Sequence, residues 1–327
     1  FWYCTTCRAC LEVCPVYGAA FEVVTKKRVL AVEEGTQVPK LLNQTLEKLF
    51  KYNNPWESSK KKRGAWADDL EIVNLTKRGA EADLCYFVGC TTSFDDTAQV
   101  IARSFSEILK AAGVNFGILG KKEPCCGDIA RRVGELGLFE EQKEGCEELF
   151  EKYDITDLVT SSPHCFHTFK NEYPEAAFRA RHYTLMLQEL IADGKLQLKK
   201  GMEARVTYHD PCYLGRHNRI FDEPRDIIRS IPGISLVEMP HHGEDSLCCG
   251  GGGGRMWQDL QGDVKMSEVR IREAEATGAE IVITACPLCL IMLEDARKVA
   301  GFKEPFRVMD LNELVLQALE EKETDNE

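Results

Sequence analysis

SLCCGGGGGRMW, from Ser246 to Trp257, sets two adjacent cysteines against five consecutive glycines. A disulfide between chain neighbours would be strained, and glycine loses the most backbone entropy on folding while offering no side chain to pack. The stretch therefore requires a role in which two sulfurs stand together beside bare backbone. A second adjacent pair lies upstream, in EPCCGD from Glu123 to Asp128. Cys90 precedes that pair and Cys165 follows it; Cys212 precedes the later pair and Cys289 follows it. The separations are 122 residues from Cys90 to Cys212, 123 between the pairs and 124 from Cys165 to Cys289. Three landmarks in nearly constant register predict two copies of one unit, related by a pseudo-two-fold axis.

The flanking patterns give that unit an α/β character. LCYFVGC (84–90) and ARVTYHDPC (204–212) read as short buried strands ending at a cysteine. Val100, Ile101, Phe105, Ile108, Leu109 and Ala112 follow at helical spacing, with Asp95, Asp96 or Thr97 as cap and Gly113 as stop. A helix near Pro224 is expected at the same place in the second copy. NFGIL (115–119) and ISLVEM (234–239) read as the next strands. TDLVTSSPHC (156–165) and AEIVITACPLC (279–289) read as the strands that close each unit. Such alternation predicts a parallel sheet covered by helices, formed twice. Cysteines at strand ends suit the rule that these sheets bind ligands beyond their carboxyl edges.

Composition narrows the chemistry. With 327 residues, 44% of them hydrophobic, the chain can build two domains without disulfide staples. The 15 cysteines are odd in number, which favours metal or redox use in a reducing compartment; a cytoplasmic location is expected. A net charge of −12 argues against nucleic acid as a partner. No apolar run reaches the ~18 residues of a membrane span, so membrane association is expected only through a partner.

Cys4-x-x-Cys7-x-x-Cys10-x-x-x-Cys14-Pro15 is the run found in bacterial ferredoxins. Three closely spaced thiolates cap one face of a 4Fe–4S cubane, and the fourth serves the other cluster of a pair. Cys4, Cys7 and Cys10 are therefore expected on one cubane and Cys14 on a second, with zinc or free thiols as the lesser alternative. A companion run must complete both cubanes, and it is expected upstream of Phe1. Residues 1–20 read as this ferredoxin-like segment. Residues 21–80 read as a mostly helical linker with a polar loop at NNPWESSKKKRGAW (53–66). Residues 81–200 read as the first unit, and 201–327 as the second with an acidic tail, Glu320 to Glu327.

The second unit holds Cys212, Cys248, Cys249, Cys286 and Cys289. A tetrahedral zinc site takes four ligands. Five thiols, two of them adjacent, better suit a multi-iron cluster, because neighbouring thiolates can reach different irons. Gly250, Gly251 and Gly252, continued by Gly253 and Gly254, would let backbone N–H groups approach the cluster sulfurs and tune its potential. A flexible turn is the plainer reading of the glycines; a phosphate loop would need a following Lys with Ser or Thr. The first unit has Cys90, Cys125, Cys126 and Cys165, with Ser162 where the second has Cys286. Serine replaces a thiolate poorly, so this site is expected to hold an altered cluster, a zinc ion or nothing. His209 is a candidate contact to the cluster or substrate, beside the reading of a hydrogen-bonded structural histidine. Cys85 and Cys146 read as packing residues, and Arg216, Arg225 and Arg255 as surface or supporting charges.

CTTCRACLEVCPV, NPW, YFVGC, EPCCGD, PHCFHTFKNEYP, YHDPCYLGR, CCGGGGG and TACPLC together resemble the cysteine-rich-domain (CCG) iron–sulfur proteins over nearly the whole chain. That family includes catalytic subunits of heterodisulfide reductase and iron–sulfur subunits of glycolate and lactate oxidases and of anaerobic glycerol-3-phosphate dehydrogenase. The fused head is most similar to the heterodisulfide reductase D-type branch, including versions serving class II benzoyl-CoA reductase complexes. The resemblance implies two pseudo-symmetric CCG units behind part of a ferredoxin-like domain. It also implies a noncubane 4Fe–4S cluster on Cys212, Cys248, Cys249, Cys286 and Cys289. The implied activity is an iron–sulfur oxidoreductase moving electrons between ferredoxin-type clusters and the noncubane cluster, for disulfide/thiol chemistry or for delivery to a partner. Family members with two complete motifs reduce a disulfide between paired clusters, and Ser162 departs from that pattern. The alternative is a non-catalytic electron-transfer and scaffold subunit of a larger anaerobic redox complex. A flavoprotein, a ferredoxin or a membrane cytochrome is the expected donor or acceptor. No FAD or NAD is expected on this chain, which carries no nucleotide fingerprint.

Overall fold

The computed structural model describes residues 1–16, 18, 20–36, 38–173, 177–259 and 264–319. The acidic tail lies outside the described residues. Nine strands are present among them: β1 Val73–Asn74, β2 Leu84–Phe87, β3 Phe116–Ile118, β4 Asp157–Thr160, β5 Arg179–His182, β6 Ala204–His209, β7 Ile234–Leu236, β8 Ile281–Thr284 and β9 Arg307–Asp310. They form two sheets, in the orders β1-β3-β2-β4-β5 and β7-β6-β8-β9. Every strand pair is parallel. β2 (LCYF) and β8 (IVIT) are buried at every residue, as expected of strands covered on both faces.

The two sheets repeat one another down to register. Tyr86 opposes Val159 in the first, and Tyr208 opposes Ile283 in the second. Helix Gln99–Ala111 follows β2 and helix Asp222–Arg229 follows β6, each returning the chain to the next parallel strand. The units then exchange partners reciprocally. Helix Leu311–Ala318 of the second packs on Gln99–Ala111 of the first, and Tyr183–Ala192 of the first packs on Asp222–Arg229 of the second. Equivalent helices thus face equivalent helices, which is pseudo-two-fold symmetry within one chain. A single core of buried residues, including Tyr86, Phe105, Leu187, Tyr208, Ile228 and Leu314, runs across the junction.

Two expectations are corrected. The segment 21–80 is α-helical over Ala20–Glu33 and Lys40–Tyr52, and beyond that carries, as helix, only two short 3-10 turns, Lys60–Lys62 and Ala65–Ala67. Asn53 ends the second helix in the left-handed conformation, at φ 56°. The Asn54 carboxamide then accepts from Trp56 and Ser58 N–H groups, which turns the chain. Further on, β1 joins the edge of the first sheet beside β3. Each unit also carries one strand more than expected, β5 and β9. RARH and RVMD lack a clear apolar run, so pattern alone does not mark them. Both lead directly into capped helices: His182 accepts the Thr184 N–H, and Asp310 forms a capping box with Glu313.

Because one core spans both units, they should unfold together. Phe105→Ala removes a ring with no exposed surface, and a loss of ~3–5 kcal/mol is expected. Chemical denaturation should show one transition at lower midpoint. Separate transitions for the two units would contradict the shared core.

Candidate metal centre

Strand ends place the second-unit thiols. Cys212 lies in the turn after β6, Cys248 and Cys249 in the loop after β7, and Cys286 and Cys289 at the start of helix Pro287–Val299 after β8. All five are buried. Cys289 Sγ lies 3.3 Å from Cys249 Sγ, and Cys248 contacts both Cys212 and Cys249. Backbone donors face these sulfurs. The Gly250 N–H points at Cys248 Sγ at 3.3 Å, and the Gly251 N–H supports Cys249. Hydrogen bonds from Cys248, then Cys289, hold the Cys249 thiol well below its usual range. Burial pushes Cys286 up, but the Cys289 hydrogen bond and the nearby His164 outweigh it and bring it down to about 7. Among the described residues, His209, Cys249 and Cys289 bring ligand atoms within 4.8 Å of one another. Five thiols, backbone donors and a buried histidine fit a polynuclear thiolate-bound group better than one tetrahedral ion.

The glycine run does a second thing that its sequence did not announce. A Cβ on Gly252 would lie 2.6 Å from Thr5 O, and one on Gly253 2.7 Å from Cys4 O. Gly254 packs as closely on Leu42 and Val133. Gly250 and Gly251 thus face sulfur, Gly252 and Gly253 receive the N-terminal head, and Gly254 packs against the linker helix and the first unit. Arg28, fully buried, clasps this junction. Its Nη1 donates to Gly253 O and Arg132 O, both at 2.9 Å, and its Nη2 to Cys4 O at 2.6 Å. Arg216 Nε donates to Cys7 O at 2.7 Å, and His217 Nε2 to Thr6 O at 2.8 Å. Thr6 and Arg8 are held at φ 55° and 64°, a conformation that a β-branched residue such as Thr6 adopts only when its surroundings impose it.

Docking of the head places Cys7 against the second-unit thiols. Its sulfur contacts Cys248, and that contact, then burial, raises the Cys7 thiol far above its usual range. Cys10 is exposed. Cys14 accepts the Gly18 N–H at 3.2 Å, which with the Val16 N–H lowers its pKa. The head cysteines therefore divide: one faces the second unit, and Cys10 and Cys14 face outward.

The first-unit site is built differently at equivalent positions. Ser162 and Cys286 are both helix N-caps, but the Ser162 hydroxyl accepts the Cys165 N–H at 3.3 Å. The Cys286 sulfur, a weaker acceptor, faces the corresponding Leu288 and Cys289 N–H groups. Serine here completes a helix end, with one lone pair of its oxygen on the Cys165 N–H. Four thiols remain. Cys126 Sγ and Cys165 Sγ are 3.2 Å apart, and Cys125 bridges Cys90 and Cys126. Buried Arg63 donates to Cys90 Sγ at 3.3 Å, to Glu123 and to Pro124 O. The Glu123 carboxylate also accepts the Val88 and Gly89 N–H groups, so it ties the Cys90 turn to the cysteine pair. These four thiols line a cavity of about 50 Å³ with Trp257, Pro287 and Leu288 from the second unit.

A ring stack joins the two sites. Tyr213, next to Cys212, lies between His164 and His217 at centroid distances of 4.0 and 4.1 Å. The Tyr213 hydroxyl meets Thr6 Oγ1 at 2.8 Å. His164 bonds Asp128 at 2.9 Å. Burial opposes both charges of that pair, yet their attraction holds Asp128 below and His164 above their usual ranges.

Cys85 and Cys146 sit in the core as read from the sequence. Arg225 forms a bidentate pair with Asp210 at 2.7 and 2.9 Å. Arg28, Arg63, Asp128 and His164 escaped the sequence reading. His164 and Asp128 stand within the cysteine motifs and could have been found there. Arg28 and Arg63 lie in the linker, where nothing marks an arginine as buried.

The family model for the cysteine-rich domain, CCG, matches residues 84–170 and 206–294. Relatives include the probable iron–sulfur-binding oxidoreductase FadF of Bacillus subtilis, 37% identical over 97% of this chain and 46% of that protein. EtfAB:quinone oxidoreductase of Syntrophomonas wolfei is 34% identical over 98% of this chain and 46% of its own. The D-type subunit of dihydromethanophenazine:CoB–CoM heterodisulfide reductase from Methanosarcina barkeri is 33% identical over 97% of this chain and 77% of its own. The chain thus spans about half the length of the first two.

The glycine contacts generate a test. Gly253→Ala should push the head away from its seat, since overpacking of this kind costs ~1–3 kcal/mol. Trypsin cleavage at Arg8 should rise roughly tenfold. Gly145→Ala, whose Cβ would meet nothing within 4 Å, should leave it unchanged. Equal cleavage of both variants would show that the head is not held there.

Proposed function

The chain belongs to the cysteine-rich CCG domain family, and from that premise we propose that it is an iron–sulfur redox subunit. It moves electrons between ferredoxin-type 4Fe–4S clusters on the head and a noncubane 4Fe–4S cluster in the second unit. The observation that carries this reading is the seat of Cys7 against Cys248. The head is packed onto the five-thiol site, backbone to backbone, rather than tethered beside it. The names of the relatives, iron–sulfur oxidoreductases and a heterodisulfide reductase subunit, support an iron–sulfur redox role.

Residues 1–20 act as the electron port, 81–200 as a degenerate CCG unit and 201–327 as the complete one. Cys212, Cys248, Cys249, Cys286 and Cys289 would hold the noncubane cluster, and Cys4, Cys7 and Cys10 a cubane; Cys14 serves a second cubane completed by other cysteines. Bound there, iron–sulfur groups supply one-electron chemistry that no side chain offers. The protein supplies the rest. Gly250 and Gly251 N–H groups and the Arg216 guanidinium stabilise thiolate charge. Burial of the five cysteines excludes water. Arg28 and the glycine run fix the head.

Ser162 favours delivery of electrons to a partner over a disulfide held between paired clusters. Its hydroxyl caps a helix and replaces a sulfur, so the first unit offers four thiols and Arg63 in place of five thiols. A flavoprotein, a ferredoxin or a membrane cytochrome is the proposed partner, as the relatives' names include an EtfAB:quinone oxidoreductase. Among the described residues no helix is long and apolar enough to cross a membrane.

Iron analysis of anaerobically purified chain tests this. Cys249→Ser should lose about four irons per chain and the second-unit EPR signal. Cys126→Ser should keep both. Equal iron loss from the two variants would defeat the asymmetry. A signal from the second-unit cluster that appears only with a thiol or disulfide substrate would favour catalysis over relay.

A further inference from the structure

His209 ends β6, three residues before Cys212. It is 1% exposed, and its ring nitrogen shares a 4.8 Å neighbourhood with Cys249 and Cys289 Sγ. Two ring nitrogens are available, and the structure assigns them different tasks. Arg270 Nε donates to His209 Nδ1 at 3.0 Å. A guanidinium has no lone pair to offer, so Nδ1 must be the unprotonated nitrogen. The proton of the neutral ring then sits on Nε2. Nε2 is buried and has no partner among the described residues.

Arg270 is not free to turn away. It is fully buried, and its other nitrogens bond His241 O at 2.7 Å, Glu273 Oε2 at 2.7 Å and Ser246 Oγ at 3.2 Å. The tautomer is therefore locked from behind. A buried N–H without an acceptor is costly to leave unmade. The sulfurs of Cys249 and Cys289 share a 4.8 Å neighbourhood with the ring, and they, or sulfide bound among them, are the acceptors that the site offers. The equivalent position in the first unit is Phe87, whose ring packs on Phe150 and Phe169. The donor thus exists only in the unit with five thiols.

We infer that His209 is a positioning and potential-setting residue: its Nε2–H donates to sulfur at the second-unit cluster and does not ligate iron. This rests on the functional reading above, that the second unit binds such a cluster. A donor at sulfur stabilises the more negative, reduced state, so it raises the reduction potential.

The test uses the full chain, anaerobically loaded, with ¹⁵N-histidine. Pulsed EPR on the second-unit cluster should show a weakly coupled histidine nitrogen and an exchangeable proton. His209→Phe, which copies Phe87, should abolish the nitrogen coupling. At fixed poise its reduced-to-oxidised ratio should fall about tenfold, or ~59 mV for one electron. His209→Gln, which restores an N–H, should recover part of that loss. A strongly coupled, iron-bound histidine nitrogen in the unsubstituted protein would overturn the inference. So would no histidine coupling at all, or an unchanged potential in His209→Phe. If His209→Phe fails to retain its cluster, the labelled unsubstituted chain decides alone. Absence of iron from the second unit would instead defeat the functional reading, and this inference with it.

Discussion

Backbone packs on backbone where Gly252 and Gly253 meet Thr5 and Cys4, and no side chain can stand between them. A Cβ at either glycine would approach a carbonyl oxygen to within 2.7 Å. Arg28 sits across this contact and donates to both sides of it. The placement of Cys7 and the left-handed turns at Thr6 and Arg8 go with the head being drawn this close. The five glycines therefore join two tasks. The first two turn N–H groups toward thiols, and the next two make room for the head. A head held by such a contact keeps a fixed distance to the second-unit thiols, which a flexible tether would not.

Duplication gives the protein two similar frames and local substitutions make them unequal. A helix N-cap is filled by serine in one unit and cysteine in the other. The serine hydroxyl accepts an N–H of its own helix, whereas the cysteine at the same place puts a fifth buried thiol beside Cys289. The strand end before the first cysteine carries Phe87 in one unit and His209 in the other. Phe87 extends an aromatic core, whereas His209 brings a buried N–H to the thiols. Arg63 compensates on the degenerate side by placing a cation on Cys90. Sheet order and strand register are untouched by these changes, because they depend on β-strand burial rather than on the loops at the carboxyl edge.

Much of this was legible in the sequence. The register of the cysteine pairs disclosed the duplication, and β2, β4, β6 and β8 could be read because each is a short apolar run ending at a motif. The cysteines that converge at each site were visible as spacings. Ser162 was visible as a departure, although its capping role was not. β5 and β9 were hidden, since RARH and RVMD have no period that separates them from loop. The destination of the glycines was hidden too: a run of small residues says that something comes close, not what it is. Arg28 and Arg63 lie in charged segments, and their burial is decided by contacts with residues more than a hundred and about sixty positions away, respectively.

The central claim is that the head and the second unit form one continuous redox structure meeting at Cys7 and Cys248. Anomalous diffraction at the iron edge, from crystals grown without oxygen, tests it most directly. The account predicts two iron-bearing sites, one among Cys212, Cys248, Cys249, Cys286 and Cys289 and one on the head, with Cys7 between them. Zinc in place of iron at the second-unit thiols, or head iron remote from Cys248, would contradict it.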